Sequence, residues 1–242
     1  MSGIVFIISA PSGSGKSTLT AELLRSVPGL EFSISYTTRR PRGSEQDARE
    51  YHFVDVNEFK KMLAAGEFLE HACVFGDYYG TARRYLREAA DRGHDLVLDI
   101  DVQGAAQVKQ KLPDAVSIFI LPPSRQELES RLRRRSESEK QLEDAARRLS
   151  DGEREATIQR RLQAAAREIE NYCEYDYILV NDQLERSIDR LKAVVLAERL
   201  KRSGKTLSPA DQQIVELAHN CLLPNVRGQV QQILDSFTAS RA

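Results

Sequence analysis

Hydrophobic and polar positions follow two different rhythms along the chain. Four short runs are almost wholly apolar and rich in β-branched residues: Ile4–Ile8, Leu96–Ile100, Val116–Leu121 and Tyr177–Val180. Runs of this length without regular polar alternation suit strands buried on both faces of a parallel sheet. Between them, Ser17–Leu24, Tyr85–Arg92, Gln103–Lys111 and Ser124–Arg135 read as helices. Strand alternating with helix predicts an α/β fold, a parallel sheet flanked by helices.

Three segments break this rhythm. From Glu31 to Tyr79 the chain turns Tyr-, Thr- and Ser-rich around a polar loop ("FSISYTTRRPRGSEQDAREYHFV"), which predicts a small insertion with antiparallel strands. Residues 124–170 carry dense charge of alternating sign, the pattern of a solvated helical segment. From about Thr206 a tail begins. Ser208 followed by Pro209 is a helix start. Ile214, Leu217, Ala218, Cys221 and Leu222 then share one helical face. Pro224 is expected to stop that helix, and Val226, Val230, Ile233, Leu234 and Phe237 form a second stripe. Such a hairpin cannot bury a core alone. It must dock on the rest of the chain, on another protein, or on a second subunit, which would make a homo-oligomer.

Composition narrows the partners. The chain has 242 residues, of which 41% are hydrophobic and 29% charged, with a net charge of −1. Near neutrality gives no overall reason to expect nucleic acid or an anionic membrane, so any anion site is local. No stretch reaches the roughly 20 apolar residues of a membrane span. The short apolar run at Ile4–Ile8 has no basic leader and is not expected to be a signal peptide. Three widely spaced cysteines, Cys73, Cys173 and Cys221, suit a reducing, cytoplasmic setting.

The chemistry concentrates behind the first strand. "SAPSGSGKST" places Ala10, Pro11, Ser12, Gly13, Ser14, Gly15, Lys16, Ser17 and Thr18 between a strand and a helix. This is a P-loop, with alanine where the first glycine usually stands. Its glycines let successive N–H groups turn inward, and the helix start adds positive potential for a phosphate. Lys16 can reach the outer phosphates of a nucleotide, and Ser17 can ligate Mg²⁺. The run "LVLDIDVQG" ends a strand at Asp99, with Asp101 two residues on. Carboxylates there can hold the water shell of Mg²⁺ or orient a substrate, although Asp101 also suits a helix N-cap. Arg39, Arg40 and Arg42 stand among tyrosines and hydroxyls, a local source of bidentate phosphate contacts.

Taken together, "SAPSGSGKST", "SISYTTRRPR", "REYHFV", "GEFLEHACVFGDYYGT", "LVLDIDVQG", "LPPS" and "YDYILVND" resemble the guanylate kinases, in family order, over roughly residues 3 to 202. The resemblance implies phosphoryl transfer from ATP, with Mg²⁺, to GMP and dGMP. It implies that Ser35, Glu70, Thr81 and one or both of Asp99 and Asp101 meet the guanine or its surroundings, and that Arg39, Arg42, Tyr51 and Tyr79 hold the GMP phosphate. Lys16 would act on the ATP phosphates. Arg131, Arg135 and Arg161 would reach the transferred phosphoryl group from a lid at about 124–170, and Asn181 and Asp182 would lie near adenine. The implied division is a kinase core (1–32 and 82–205), a GMP-binding insertion (33–81) and the helical tail (206–242). Physics agrees on the base: one carboxylate, Glu70, can accept from both guanine N1–H and the N2 amine, whereas adenine would face it with a lone pair. The lid departs from the family pattern. Ser136 stands where a glycine usually follows the arginine of "RLRRR", and the segment to Arg161 is longer. Two other readings are a related kinase of a phosphorylated sugar and a guanylate-kinase-like module that binds without catalysis. Retention of Ser35, Glu70 and Thr81 speaks against the first, and of Lys16 and Ser17 against the second.

Overall fold

The structure, a computed structural model, describes residues 3–41, 45–142 and 150–238, with backbone only for 139–142. Its elements begin β1 (Val5–Ser9), α1 (Lys16–Ser26), β2 (Leu30–Phe32), β3 (Tyr36–Thr37), β4 (His52–Phe53), α2 (Val56–Ala64), β5 (Phe68–Val74) and β6 (Asp77–Ala82). They continue α3 (Arg84–Arg92), β7 (Asp95–Asp99), α4 (Val102–Lys111), β8 (Val116–Leu121), α5 (Arg125–Leu142), α6 (Asp151–Ile169), β9 (Tyr177–Val180), α7 (Leu184–Ser203), α8 (Pro209–His219) and α9 (Leu223–Thr238). The parallel sheet runs in the order β2-β7-β1-β8-β9, with helices around it. The four strands expected from the apolar runs are all present.

The chain forms two compact units. The first contains Met1–Ser9 and Val27–Ser117. In it β1 and β2 both pair in parallel with β7, and Phe6, Ile7, Ile8, Val97 and Leu98 are wholly buried. The expected insertion is a second sheet, ordered β4-β3-β6-β5. It is mixed rather than purely antiparallel: β3 pairs with β4 in parallel and with β6 antiparallel. Helix α2, which the polar loop hid, supplies its core. Asp55 caps it by accepting from Glu58 N–H, and Phe59 and Met62 pack against Phe68. Phe59 stacks on Phe68 with centroids 4.5 Å apart.

The second unit contains Ala10–Ser26 and Ile118–Ala242. Here β8 and β9 pair in parallel, and α1 packs against α7. Helices α5 and α6 are the charged segment. Arg133 joins them through Glu129 and Glu155, and buried Arg154 donates to the Ser136 carbonyl at 3.2 Å. Ser150 and Glu153 cap the start of α6 reciprocally.

The tail forms the expected two helices, and a Ser208–Asp211 capping box starts α8. Pro224 does not stop α8, which ends at His219. It lies in the first turn of α9, where a missing N–H costs nothing. The tail docks within this unit. Leu222 bridges Tyr177 on β9, Cys221 C=O accepts from Ile178 N–H at 2.8 Å, and α8 lies along α7. Val226, Val230, Ile233 and Phe237 are buried. The tail therefore covers backbone groups that an edge strand leaves unpaired.

Candidate active site

The P-loop lies in the second unit. Gly13 and Gly15 have φ of +94° and +91°, the left-handed region that only glycine enters without strain. Ser14 N–H donates to Pro11 C=O at 3.1 Å and Leu19 N–H to Gly15 C=O at 3.1 Å, so the loop passes directly into α1. Lys16 is the first residue of that helix, and Ser17 and Thr18 are exposed in its first turn. The loop is braced from behind. Buried Asn181, just past β9, donates from Nδ2 to Ser14 C=O at 2.8 Å. A side chain at Gly15 would collide with that amide, and one at Gly13 would press on Leu128 and Leu132 of α5 at 3.0 Å. Arg131 of α5 donates to Asn181 C=O at 2.9 Å and to Ser14 C=O at 3.4 Å, while Glu127 accepts from its Nε at 2.8 Å. Of the three lid arginines, Arg131 is thus held against the phosphate loop. Arg135 is exposed on α5, and Arg161 is half-buried on α6. Asp182 accepts from Gln183 N–H at 2.7 Å and pairs with Arg186.

A cluster of buried polar side chains of different character lies in the first unit. Ser35, Thr81 and Glu70 are all buried, and the Ser35 and Thr81 hydroxyls lie 3.4 Å apart. Burial pushes the Glu70 carboxyl up to about 7, Thr81 hydrogen bonds oppose this, and the Asp101 charge adds to it. Asp101 caps α4, its Oδ1 accepting from Gly104 N–H at 2.8 Å, so the N-cap reading and proximity to Glu70 are both realised. Asp99 ends β7, half-buried.

Beside it, Arg39 is only 8% exposed. Its Nε donates to Tyr79 Oη at 3.2 Å, and its guanidinium lies 5.3 Å from the Tyr51 ring centroid. Tyr51 meets Tyr79 edge-on at 5.8 Å. The structure therefore gathers three of the four residues expected around a phosphate, and Arg42 lies outside the described residues. It also adds one that the sequence did not flag. Glu45 receives both terminal nitrogens of Arg39, at 2.9 and 3.0 Å. Nothing in a polar loop distinguishes that glutamate from its neighbours, so only the folded geometry reveals it.

A strand–P-loop–helix unit in a parallel sheet defines a nucleotide-binding protein of the P-loop class, and the buried carboxylate with an arginine–tyrosine cluster adds a second polar site. The pattern of the family described as "Guanylate kinase" matches residues 3–198. The chain is 60% identical over 237 residues to the guanylate kinase of Koribacter versatilis (strain Ellin345), covering 98% of this chain and 97% of that one. It is 47% identical over 199 residues to the guanylate kinase of Geobacter metallireducens (strain ATCC 53774 / DSM 7210 / GS-15), covering 82% and 91%. The crystal structure of guanylate kinase from Anaplasma phagocytophilum resembles it with a TM-score of 0.64 at 34% identity, covering 82% of this chain and 87% of that one. The chain belongs to the guanylate kinase family. The Koribacter match runs into the tail, beyond the part that defines the family.

Proposed function

We propose that the protein transfers the γ-phosphoryl group of ATP to GMP, giving ADP and GDP, and accepts dGMP in the same site. The observation that carries this is the buried Glu70 between Thr81 and Asp101, in a chain that keeps an intact P-loop. Ionised, Glu70 accepts from guanine N1–H and the N2 amine together. Adenine offers no such donors, and a buried carboxylate left facing a lone pair is costly enough to reject it by orders of magnitude. The Ser35 and Thr81 hydroxyls and Asp101 complete the polar lining around the base, with Asp99 at the strand end.

Arg39 and Tyr79 hold the GMP phosphate, joined by Tyr51 and Arg42. Glu45 and Arg40 C=O hold the terminal nitrogens and Tyr79 Oη takes the Nε–H, which leaves an Nη2 N–H of Arg39 and the Tyr79 O–H to donate to a phosphate oxygen. On the donor side, residues 10–18 present backbone N–H groups to the ATP phosphates and Lys16 supplies charge. Asn181 and Arg131 keep the loop in shape, and with Asp182 Asn181 borders the adenine. The acceptor is an ionised phosphate and needs no general base. Charge on the transferring group is met by Lys16 and by Arg131, Arg135 and Arg161. Closure of α5 and α6 over the nucleotide would exclude water.

Ser17 and Asp99 offer hard oxygen donors of the kind Mg²⁺ takes, and among the described residues no group of three or more His, Cys, Asp or Glu could hold a metal. Ser17 and Asp99 are each a single ligand of the kind that leaves most of a cation's coordination to nucleotide phosphates and water. When bound, Mg²⁺ neutralises charge on the phosphate oxygens. No helix among the described residues is long and apolar enough to cross a membrane. The compartment we propose is the cytoplasm, from the spacing of the three cysteines.

The test is product identity. Incubation with ATP, Mg²⁺ and GMP, followed by nucleotide separation, should yield GDP and ADP in equal amounts. ADP without GDP would reduce the activity to ATP hydrolysis and refute the assignment.

A further inference from the structure

Helix α4 meets β5 through a single face. Gly104, Gln107 and Lys111, spaced i, i+3 and i+7, touch three successive residues of β5. Lys111 Nζ donates to Leu69 C=O. The Glu70 carboxylate lies over Gly104: a Cβ there would stand 3.0 Å from Glu70 Cδ, closer still to Oε2, and 3.4 Å from Asp101 Oδ1. Gln107 Nε2 donates to His71 C=O at 2.6 Å, and Gln107 Oε1 accepts from His71 N–H at 3.2 Å.

The strand order makes this arrangement more than packing. β5 is an edge strand with β6 on one side only. The N–H and C=O of His71 would otherwise lack strand partners. The Gln107 amide offers His71 one N–H and its carbonyl oxygen and so substitutes for the peptide group of a missing neighbour. Residues 69 and 71 are thereby pinned on either side of Glu70. A one-residue slip of β5 would turn Glu70 to the other face. Glu70 is buried, so a side chain at position 104 could not simply send the carboxylate into water.

We propose that the α4 face formed by Gly104, Gln107 and Lys111 is a positioning element for guanine selectivity. Gln107 and Lys111 fix the register of β5, and Gly104 leaves the space that the Glu70 carboxylate fills. The inference rests on Glu70 as the guanine reader.

The experiment uses the full chain with Gly104→Ala, Gln107→Met, Glu70→Ala and the Glu70→Ala/Gly104→Ala pair. KM for GMP, KM for ATP, the ratio of kcat/KM for GMP over AMP, and the melting temperature are measured for each. Gly104→Ala should raise KM for GMP by about tenfold or more and lower the GMP/AMP ratio, because displaced positioning groups lose at least that much. KM for ATP should stay within about twofold. The added methyl presses on a buried carboxylate, so the melting temperature should fall in the wild-type background, whereas in the Glu70→Ala background the clash is gone and alanine, the better helix former, should not lower it. A merely structural role would lower stability in both backgrounds and leave the GMP/AMP ratio unchanged. In the Glu70→Ala background, Gly104→Ala should have no further effect on KM for GMP, since no carboxylate remains to displace. Gln107→Met keeps the side-chain length without its hydrogen bonds. It should raise KM for GMP while sparing that for ATP, and it decides the matter if Gly104→Ala fails to fold. Wild-type GMP constants in Gly104→Ala or Gln107→Met, or an equal Gly104→Ala effect with and without Glu70, overturn the proposal while leaving Glu70 its role. If Glu70→Ala itself spares KM for GMP, the reading of Glu70 fails, and this inference fails with it.

Discussion

Replacing Glu70 by glutamine should make the protein more stable and a poorer GMP kinase at once. The carboxyl is 4% exposed, and burial raises it from the ordinary 4.5 to about 7. Between those values the folded state keeps a proton that the unfolded state has lost. Stability therefore falls as pH rises through this window, by about 1.4 kcal/mol per pH unit. The accumulated cost is near zero at pH 4, about 1 kcal/mol at pH 5.5, and about 3 kcal/mol from pH 7.5 upward. Glutamine keeps the size, can still accept from Thr81, can donate toward Asp101, and carries no charge to desolvate. The gain in melting temperature should thus be about 6–12 °C at pH 8 for a chain of this size, shrinking to almost nothing at pH 4.5. Calorimetric unfolding of both proteins from pH 4.5 to 8.5 measures it. In parallel, KM for GMP should rise and its change around pH 7 should flatten, since an amide cannot accept from both N1–H and N2. Comparing the two proteins cancels the titration of the GMP phosphate. A stability difference independent of pH, or a variant less stable at pH 8, would refute the claim that Glu70 is held charged against its surroundings.

Lys16→Ala should lower turnover at least about a hundredfold with the melting temperature nearly unchanged, since the residue supplies charge to the phosphates; near-normal turnover in a steady-state assay would remove it from the chemistry. Glu45→Gln leaves buried Arg39 without its carboxylate and should cost about 1–3 kcal/mol. GMP should then raise the melting temperature less in the variant than in the wild type, because the guanidinium is no longer held in place for the phosphate; an equal or larger rise contradicts the orienting role given to Glu45. Truncation after Lys205 uncovers β9 and the partners of Val230 and Phe237, so the melting temperature should fall by several degrees and light scattering should show added association. An unchanged melting temperature and mass would mean that the tail contributes nothing to the body. The GMP/AMP selectivity of any truncated protein that folds should be retained, because Glu70 and its neighbours lie in the other unit.

The central strands and the phosphate loop were legible because each depends on local pattern. Ile4–Ile8 is an apolar run, and Gly13 and Gly15 stand at positions where the backbone takes positive φ. The second sheet was less legible. Its strands β3 and β4 have two residues each, too few to show a period, and α2 sits among polar residues with only Phe59 and Met62 turned inward. Pro224 misled because proline serves equally to end one helix or begin the next, and only the intervening turn decides. The tail stripes revealed an apolar face but not its cover, since amphipathicity carries no information about the partner; that partner is in part the edge of β9. Glu70 was identified by resemblance and by the donor pattern of guanine. Its supports, Gly104 and Gln107, stayed hidden because an absent side chain and a neutral amide have no signature outside the fold. Asn181, expected beside adenine, braces the P-loop through Ser14 C=O, a contact spanning most of the chain.

The most direct measurement of the central claim is the rate of ADP formation from ATP and Mg²⁺ with GMP, AMP, UMP and CMP as separate acceptors at equal concentration. GMP should be used at least about a thousandfold better than AMP in kcat/KM, as expected where a buried polar group is left unpaired by the wrong base. No ADP above the acceptor-free background with GMP, or AMP used as well as GMP, would contradict the account.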